Sequence, residues 1–451
     1  MTLAQTAARR PEPVPGAWPV AGHLPAFGRD PLGFLGALPG HGDLVEVRSV
    51  GSRMYIPCQP ELAHKVLSDR HAFDRTGPIW DRFRGDIGNG VATCLFDEHR
   101  RQRLMVQPAF RRDRMGRYAE LMSEEIGSLG QSWRPGQVID VVHEMFALTT
   151  SVAVRTLFSS RVDARTTAML RQWMDTYLRG LATRALLPAA AARIPTPANR
   201  RHSRALTQWR HYVREVIGEG RQRESGSQDL LAWLIEARDD DRAGLTEQEL
   251  VDQIMVIVLG GAESLSALLS WAWHLLGSDP EAEAELLAEA DAALDGRTAT
   301  LEDLPRLEHT GRVVKEALRL YPPAWGLLRS ATRDVELGGR RLPAGAAVLV
   351  SPFVVQRRPD IYTDPHAFRP GRWLPDPHTG RSTVPPAAYF PFGIGGAKCL
   401  GEHFALTMAS LAMASLATRW RLLPVPGVTV RPAVRAVISP RALTMRVAAR
   451  R

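Results

Sequence analysis

The chain has 451 residues, of which 45% are hydrophobic and 23% charged, enough apolar material for a substantial core and too little charge for a disordered chain. The formal net charge of +9 is carried almost wholly by arginine, since Lys65, Lys315 and Lys398 are the only lysines. No lysine-rich tail, recognition helix or zinc-finger spacing accompanies that surplus, so nucleic-acid binding is not expected; three cysteines are too few for a disulfide framework or a four-thiolate metal site and point to a reducing compartment, the cytoplasm.

In chain order, the first 30 residues are rich in Pro and Gly and read as an irregular arm. Met1–Arg10 lacks an apolar run, so neither a secretory signal nor a membrane anchor is expected. Strand-like pieces at Leu44–Val50 and Met54–Pro57 flank Gly51-Ser52, a hairpin signal. From about Glu61 to Gly277 the pattern is helical, with amphipathic runs at Glu120–Leu129, Val141–Phe158 and Ala205–Ile217. An acidic run, Asp239–Asp241, precedes a capping box made by Thr246 and Glu249. That box opens a long helix stopped near Ser278-Asp279-Pro280. Its second part, Ile254–Gly277, carries a single acid, Glu263, and hydropathy alone would let it span a membrane. Glu263 and the Gly260-Gly261 pair near its middle favour a helix buried in a protein core instead.

More helix is expected to Leu320, then short strands at Val335–Pro343 and Ala347–Ser351. A Pro-rich meander from Pro359 to Pro391 leads into a Gly-rich loop and a last helix from about Leu400 to Trp420. No repeat or linker breaks this order. The expectation is one domain over residues 1–451, mainly α with small β-sheets.

The loop Phe392-Gly-Ile-Gly-Gly-Ala-Lys-Cys399-Leu-Gly401 carries the chemistry. A thiolate is a soft, strongly donating iron ligand, and backbone N–H groups of a glycine-rich loop and a helix start help keep it unprotonated. Gly393, Gly395, Gly396 and Gly401 let backbone approach a flat ring, and Phe392 can exclude water from the sulfur. A plain buried cysteine in a turn explains the loop as well, so the loop alone leaves both readings open. Upstream, Glu316 and Arg319 sit three apart on one helical face in an apolar stretch ending at Tyr321-Pro322-Pro323. Phe368-Arg-Pro-Gly-Arg372-Trp373 offers a second arginine for a buried Glu316–Arg319–Arg372 network.

The loop, the Glu-x-x-Arg helix and the Phe-x-Pro-x-Arg-Trp meander, in this order and with 80 residues from Arg319 to Cys399, resemble the cytochrome P450 family over nearly the whole chain. The resemblance implies that family's fold, with haem b between the long helix and the cysteine loop. It makes Cys399 the iron ligand, seated among Phe392, Gly393 and Gly401, and makes Glu316, Arg319 and Arg372 a structural network. Gly260–Ser264 becomes the oxygen-activating segment, a locally opened helix in which Glu263 and then Ser264 pass protons. His99, Arg103 and Arg329 become haem-propionate contacts. Trp80, Phe83, Ile87, Val91, Gly260, Trp325 and Leu327 become pocket walls for an apolar substrate.

The implied enzyme is a monomeric monooxygenase using O2 and electrons from NAD(P)H. No flavin or nicotinamide fingerprint is present, so a separate ferredoxin and ferredoxin reductase are expected, attracted by a basic face of Arg100, Arg101, Arg111, Arg112 and Lys398. Taken together, Pro108-Ala-Phe110, His99 in place of a tryptophan and His309–Val314 are most similar to bacterial terpene oxidisers, with polyketide, macrolide and fatty-acid substrates still open. A peroxide-using haem-thiolate enzyme and a haem sensor are the other readings. Three departures stand out: Ser264 replaces the usual threonine, His99 a tryptophan, and Ala397 the arginine or histidine that binds propionate. The Asp239–Asp241 run is similar to the magnesium-binding aspartates of terpene cyclases, but its place in a polar loop reads as solvated charge.

Overall fold

The computed structural model describes residues 12–158, 164–185, 194–222 and 229–450; residues 1–11 of the expected arm lie outside them. The chain forms two compact units, one of Met1–Trp80, Ala324–Ala367 and Pro375–Cys399, the other of Asp81–Pro323, Phe368–Leu374 and Leu400–Arg451.

The first unit is built on a six-stranded sheet. Its spatial order is Glu12–Pro13, Leu44–Ser49, Ser52–Pro57, Ala347–Val350, Leu327–Ala331, Phe73–Asp74. The expected hairpin is present, with Ser49 opposite Ser52 and Gly51 at φ +65, a turn conformation that a β-carbon would strain. Tyr55, Val66, Phe73, Val348, Val350 and Phe390 are buried together against this sheet, and Ile394 of the cysteine loop packs on them. The arm is not wholly irregular. Glu12–Pro13 pairs in parallel with Leu44–Ser49, and Leu24–Arg29 is a short helix with proline in its first turn, where the missing N–H costs nothing. The strand Leu327–Ala331 carries no alternating pattern in sequence and owes its form to pairing on both sides, with Ala347–Val350 and Phe73–Asp74.

The second unit is mainly helical. Its central element is the helix Glu247–Gly277, 31 residues or roughly 46 Å at 1.5 Å per residue. The expected capping box opens it: Thr246 Oγ1 accepts the Glu249 N–H, while the Glu249 carboxylate accepts the Thr246 N–H at 2.8 Å. Pro280 does more than stop this helix, because it begins the next one, Pro280–Leu294, capped by Asp279. Apolarity and length would let Glu247–Gly277 cross a membrane, but 72% of its apolar window is buried within the fold. It packs along Val141–Phe158, while Glu402–Ala417 packs on Met115–Ser132. Trp271, stacked on Tyr321 at 3.7 Å, donates its indole N–H to the Ile438 carbonyl and ties the helix to the hairpin Pro432–Val434/Ile438–Pro440.

Candidate functional site

In the first unit the chain from Phe390 to Cys399 folds into a tight loop. The Gly393 N–H donates to the Phe390 carbonyl, the Lys398 N–H to Gly395, and the Cys399 N–H to Phe392 at 2.9 Å. Gly393 and Gly395 take φ of +76 and +68, so the turn needs glycine at both positions. At Gly396 the Arg70 guanidinium lies directly on the backbone, and a β-carbon there would displace it. Cys58 and Cys94 are buried, and burial pushes the Cys58 thiol up to about 12, which keeps it inert. Cys399 is exposed, so the plain buried-cysteine reading does not describe it. Leu327 lies beside Gly393, and Trp325 faces Phe27 with ring centres 6.1 Å apart.

The same unit holds two buried cations, one on a strand and one at the end of the strand paired with it. Arg329 on Leu327–Ala331 and Arg75 just past Phe73–Asp74 are each 5% exposed, and Asp74 pairs with Ser330 across the ladder. Burial, then the Arg75 charge, push Arg329 down to about 9, with Asp74 offsetting part of this. Two guanidiniums buried side by side favour an anion. Arg75 also lies 5.9 Å over the Trp80 ring, so that expected wall residue stacks on a cation. Sequence reasoning missed Arg75, because only a strand pairing across some 250 residues brings it beside Arg329.

In the second unit, Gly260 and Gly261 are exposed, and a β-carbon at either would meet nothing within 4 Å. A ligand can therefore lie directly on the helix backbone there. Glu263 and Ser264 are half-buried, and Gly260 and Ser264, four apart, share a face. Burial pushes the Glu263 carboxyl up to about 7, against a smaller lowering by Arg435. The expected local opening is absent: the helix runs unbroken from Glu247 to Gly277. The Thr149 hydroxyl lies 2.9 Å from both the Met145 and the Ala262 carbonyls, and its single proton reaches either without breaking the ladder of the long helix. On Phe96–Val106, His99 is buried edge-on to Phe96, and Arg103 is half-buried one turn on, on the same face. Ile87 and Val91 are buried and Phe83 is half-buried.

The expected ion network forms, and it is larger than the sequence suggests. Glu316 and Arg319 are both 0% exposed. One Glu316 oxygen accepts from Arg319 Nη2 at 2.8 Å, the Arg369 N–H at 3.1 Å and Arg372 Nε at 3.3 Å. The other accepts from Arg319 Nε and the Trp373 indole N–H, each at 2.9 Å. Five donors thus serve one carboxylate. The indole was legible only as part of the meander motif.

The cytochrome P450 family profile matches residues 11–445. The chain belongs to the cytochrome P450 family. This P450 is 42% identical over 421 residues to cyclooctatin synthase of Streptomyces melanosporofaciens, covering 93% of this chain and 91% of that one. It is 41% identical over 437 residues to pentalenene oxygenase of Streptomyces avermitilis, covering 97% of each. Among solved structures, the cytochrome P450DA heme domain aligns with a TM-score of 0.88 at 26% identity, over 98% of this chain and 99% of that one. The fold is therefore that of the family, and the protein is a P450 monooxygenase that carries haem b and uses O2 with electrons from NAD(P)H passed on by redox partners.

The residues fit that cofactor: an exposed thiol on a glycine loop suits an iron ligand, and the Arg75–Arg329 pair suits carboxylate groups. Ala397 offers no cation, while the Arg70 guanidinium lies against the neighbouring Gly396. Two expectations need revising. Arg101 is not part of an open basic face, because it donates to Asp239 at 2.8 Å and to Glu249 at 2.5 Å. Asp239 is not simply solvated, since it also accepts the Asp241 and Ala243 N–H groups, and Arg101 bridges this loop to Glu249 on the P450's long helix.

Proposed function

We propose that this P450 hydroxylates an apolar terpenoid, on electrons relayed by a ferredoxin and its reductase, as a monomer in the cytoplasm. The observation that carries this reading is the identity of 40% or more, over at least 90% of both chains, to cyclooctatin synthase, pentalenene oxygenase and cyclooctat-9-en-7-ol 5-monooxygenase. Cys399 holds the iron, with Phe392, Gly393 and Gly401 shaping the loop around the sulfur. Arg329 and Arg75, with His99 and Arg103, bind the propionates, which supports cofactor retention without a cation at Ala397. Bound haem supplies the chemistry that splits O2, placing one oxygen atom in a C–H bond and releasing the other as water.

The protein's own part is positioning and proton supply. Glu263, with a proton affinity near neutrality, takes protons from solvent and hands them on through the Ser264 hydroxyl. Ile87, Val91, Phe83, Trp80, Trp325 and Leu327 exclude water and orient a substrate with few polar handles, while the bare Gly260 backbone lets it approach closely.

Titration of the oxidised holoprotein with pentalenene, lauric acid and a macrolide aglycone tests the substrate class through the low-to-high-spin shift caused by loss of iron-bound water. The terpene is expected to give the shift and a hydroxylated product. A shift with lauric acid or the macrolide alone would overturn the terpenoid reading, and turnover with peroxide but never with a ferredoxin system would overturn the oxygenase route.

A further inference from the structure

The segment between Ile87 and Leu95, whose Val91 stands among the proposed pocket walls, is fastened to the long helix by buried amides. Gln253, 0% exposed, accepts the Val91 N–H at 3.0 Å through Oε1 and donates through Nε2 to Gln102 Oε1 at 2.8 Å. Gln102, 3% exposed, in turn donates to the Asn89 carbonyl at 2.9 Å. One residue earlier on the helix, Asp252 accepts the Asn89 N–H at 2.8 Å and the Gln248 amide at 2.7 Å. The Thr93 hydroxyl closes the segment on itself by donating to the Gly88 carbonyl at 2.6 Å.

The two glycines are part of the fit. A β-carbon at Gly88 would land on the Asp252 carboxylate, and one at Gly90 would lie 2.8 Å from the Asp252 carbonyl and 3.0 Å from Val256. The backbone of this segment therefore lies directly on the helix. Gln253, Gly260 and Ser264 are seven and eleven residues apart, spacings that return to one helical face. The fastening point stands about two turns before the bare Gly260 backbone, on the same stripe. Gln253 holds residue 91 by its main-chain N–H, so the side chain at that position can differ while its place is held.

We infer that Gln253 is a positioning residue that keeps residues 88–94 as a fixed wall on the oxygen-activating face of the long helix, and so decides which part of a substrate is presented. The inference rests on the pocket reading above but not on the terpenoid assignment.

The test uses the holoenzyme and the azoles imidazole, 2-phenylimidazole and 4-phenylimidazole, which ligate haem iron whatever the natural substrate. In Gln253→Leu the Val91 N–H and the Gln102 amide lose buried partners. Amide-exchange protection over residues 89–94 should fall roughly tenfold or more. Affinity for imidazole should hold, while the ratio between the two phenylimidazoles flattens by a similar factor. Gln253→Glu, which keeps the acceptor for Val91, should restore part of both. If Gln253→Leu yields no holoprotein, Gln102→Leu reads the same exchange with a smaller change. Unchanged protection overturns the inference. So does faster exchange with an unaltered phenylimidazole ratio, or a wild type that does not distinguish the two isomers.

Discussion

Glu316→Ala is expected to leave little haem-loaded protein to purify. The carboxylate is fully buried and serves five donors, two of them from Arg319, which is equally buried. Its removal takes from the buried Arg319 guanidinium the carboxylate it bonds twice, and leaves the Arg369 N–H and the Trp373 indole without that acceptor. Breaking a buried pair from one side costs about 3–5 kcal/mol, a large share of the 5–15 kcal/mol that holds a typical protein folded. Arg372→Ala should be milder, since that contact is the longest of the five at 3.3 Å. Soluble yield and the thermal midpoint of the two variants check the ranking. Equal stability of Glu316→Ala and wild type would show that the network is not structural.

Glu263→Gln is expected to separate electron consumption from product. General acid catalysis contributes roughly 10²–10⁴-fold, so hydroxylation should fall by about 10²-fold or more while NAD(P)H oxidation continues into reduced oxygen species. The pH profile carries the sign. Burial raises the Glu263 carboxyl to about 7, so the proton-donating form predominates below that value and is lost above it. Wild-type product formation should decline as pH climbs through about 7, and the glutamine variant should show no such limb. Stability follows the same direction. A carboxyl with a raised pKa in the folded state contributes fully below its unfolded value and loses that contribution as pH rises through about 7. Glu263→Gln should therefore be more stable than wild type at pH 8, a gain readable by thermal unfolding.

These two sites differ in how they show in the sequence. Glu316 and Arg319 are legible because the i,i+3 spacing puts them on one face of Glu308–Leu320, and the meander supplies Arg372 by motif. The start of the long helix is legible because a capping box is a local bond pair. What escaped depends on groups distant in sequence. Arg75 meets Arg329 only through the strand pairing of Phe73–Asp74 with Leu327–Ala331. Thr149 reaches the Ala262 carbonyl across two packed helices, and Arg101 reaches Asp239 across 138 residues. Gln253 looks like an ordinary polar position near a helix start, and only the fold shows it holding the amide of Val91. Local chemistry was readable, while long-range pairing needed the fold.

The central claim is that Cys399 supplies the thiolate, and the spectrum of the reduced, carbon monoxide-bound protein tests it most directly. Wild type should show the long-wavelength Soret band of thiolate-ligated haem, Cys399→Ser should lose that band, and Cys58→Ser and Cys94→Ser should keep it wherever they fold. A thiolate-type band surviving in Cys399→Ser, or a wild-type protein that takes up no haem at all, would contradict the account.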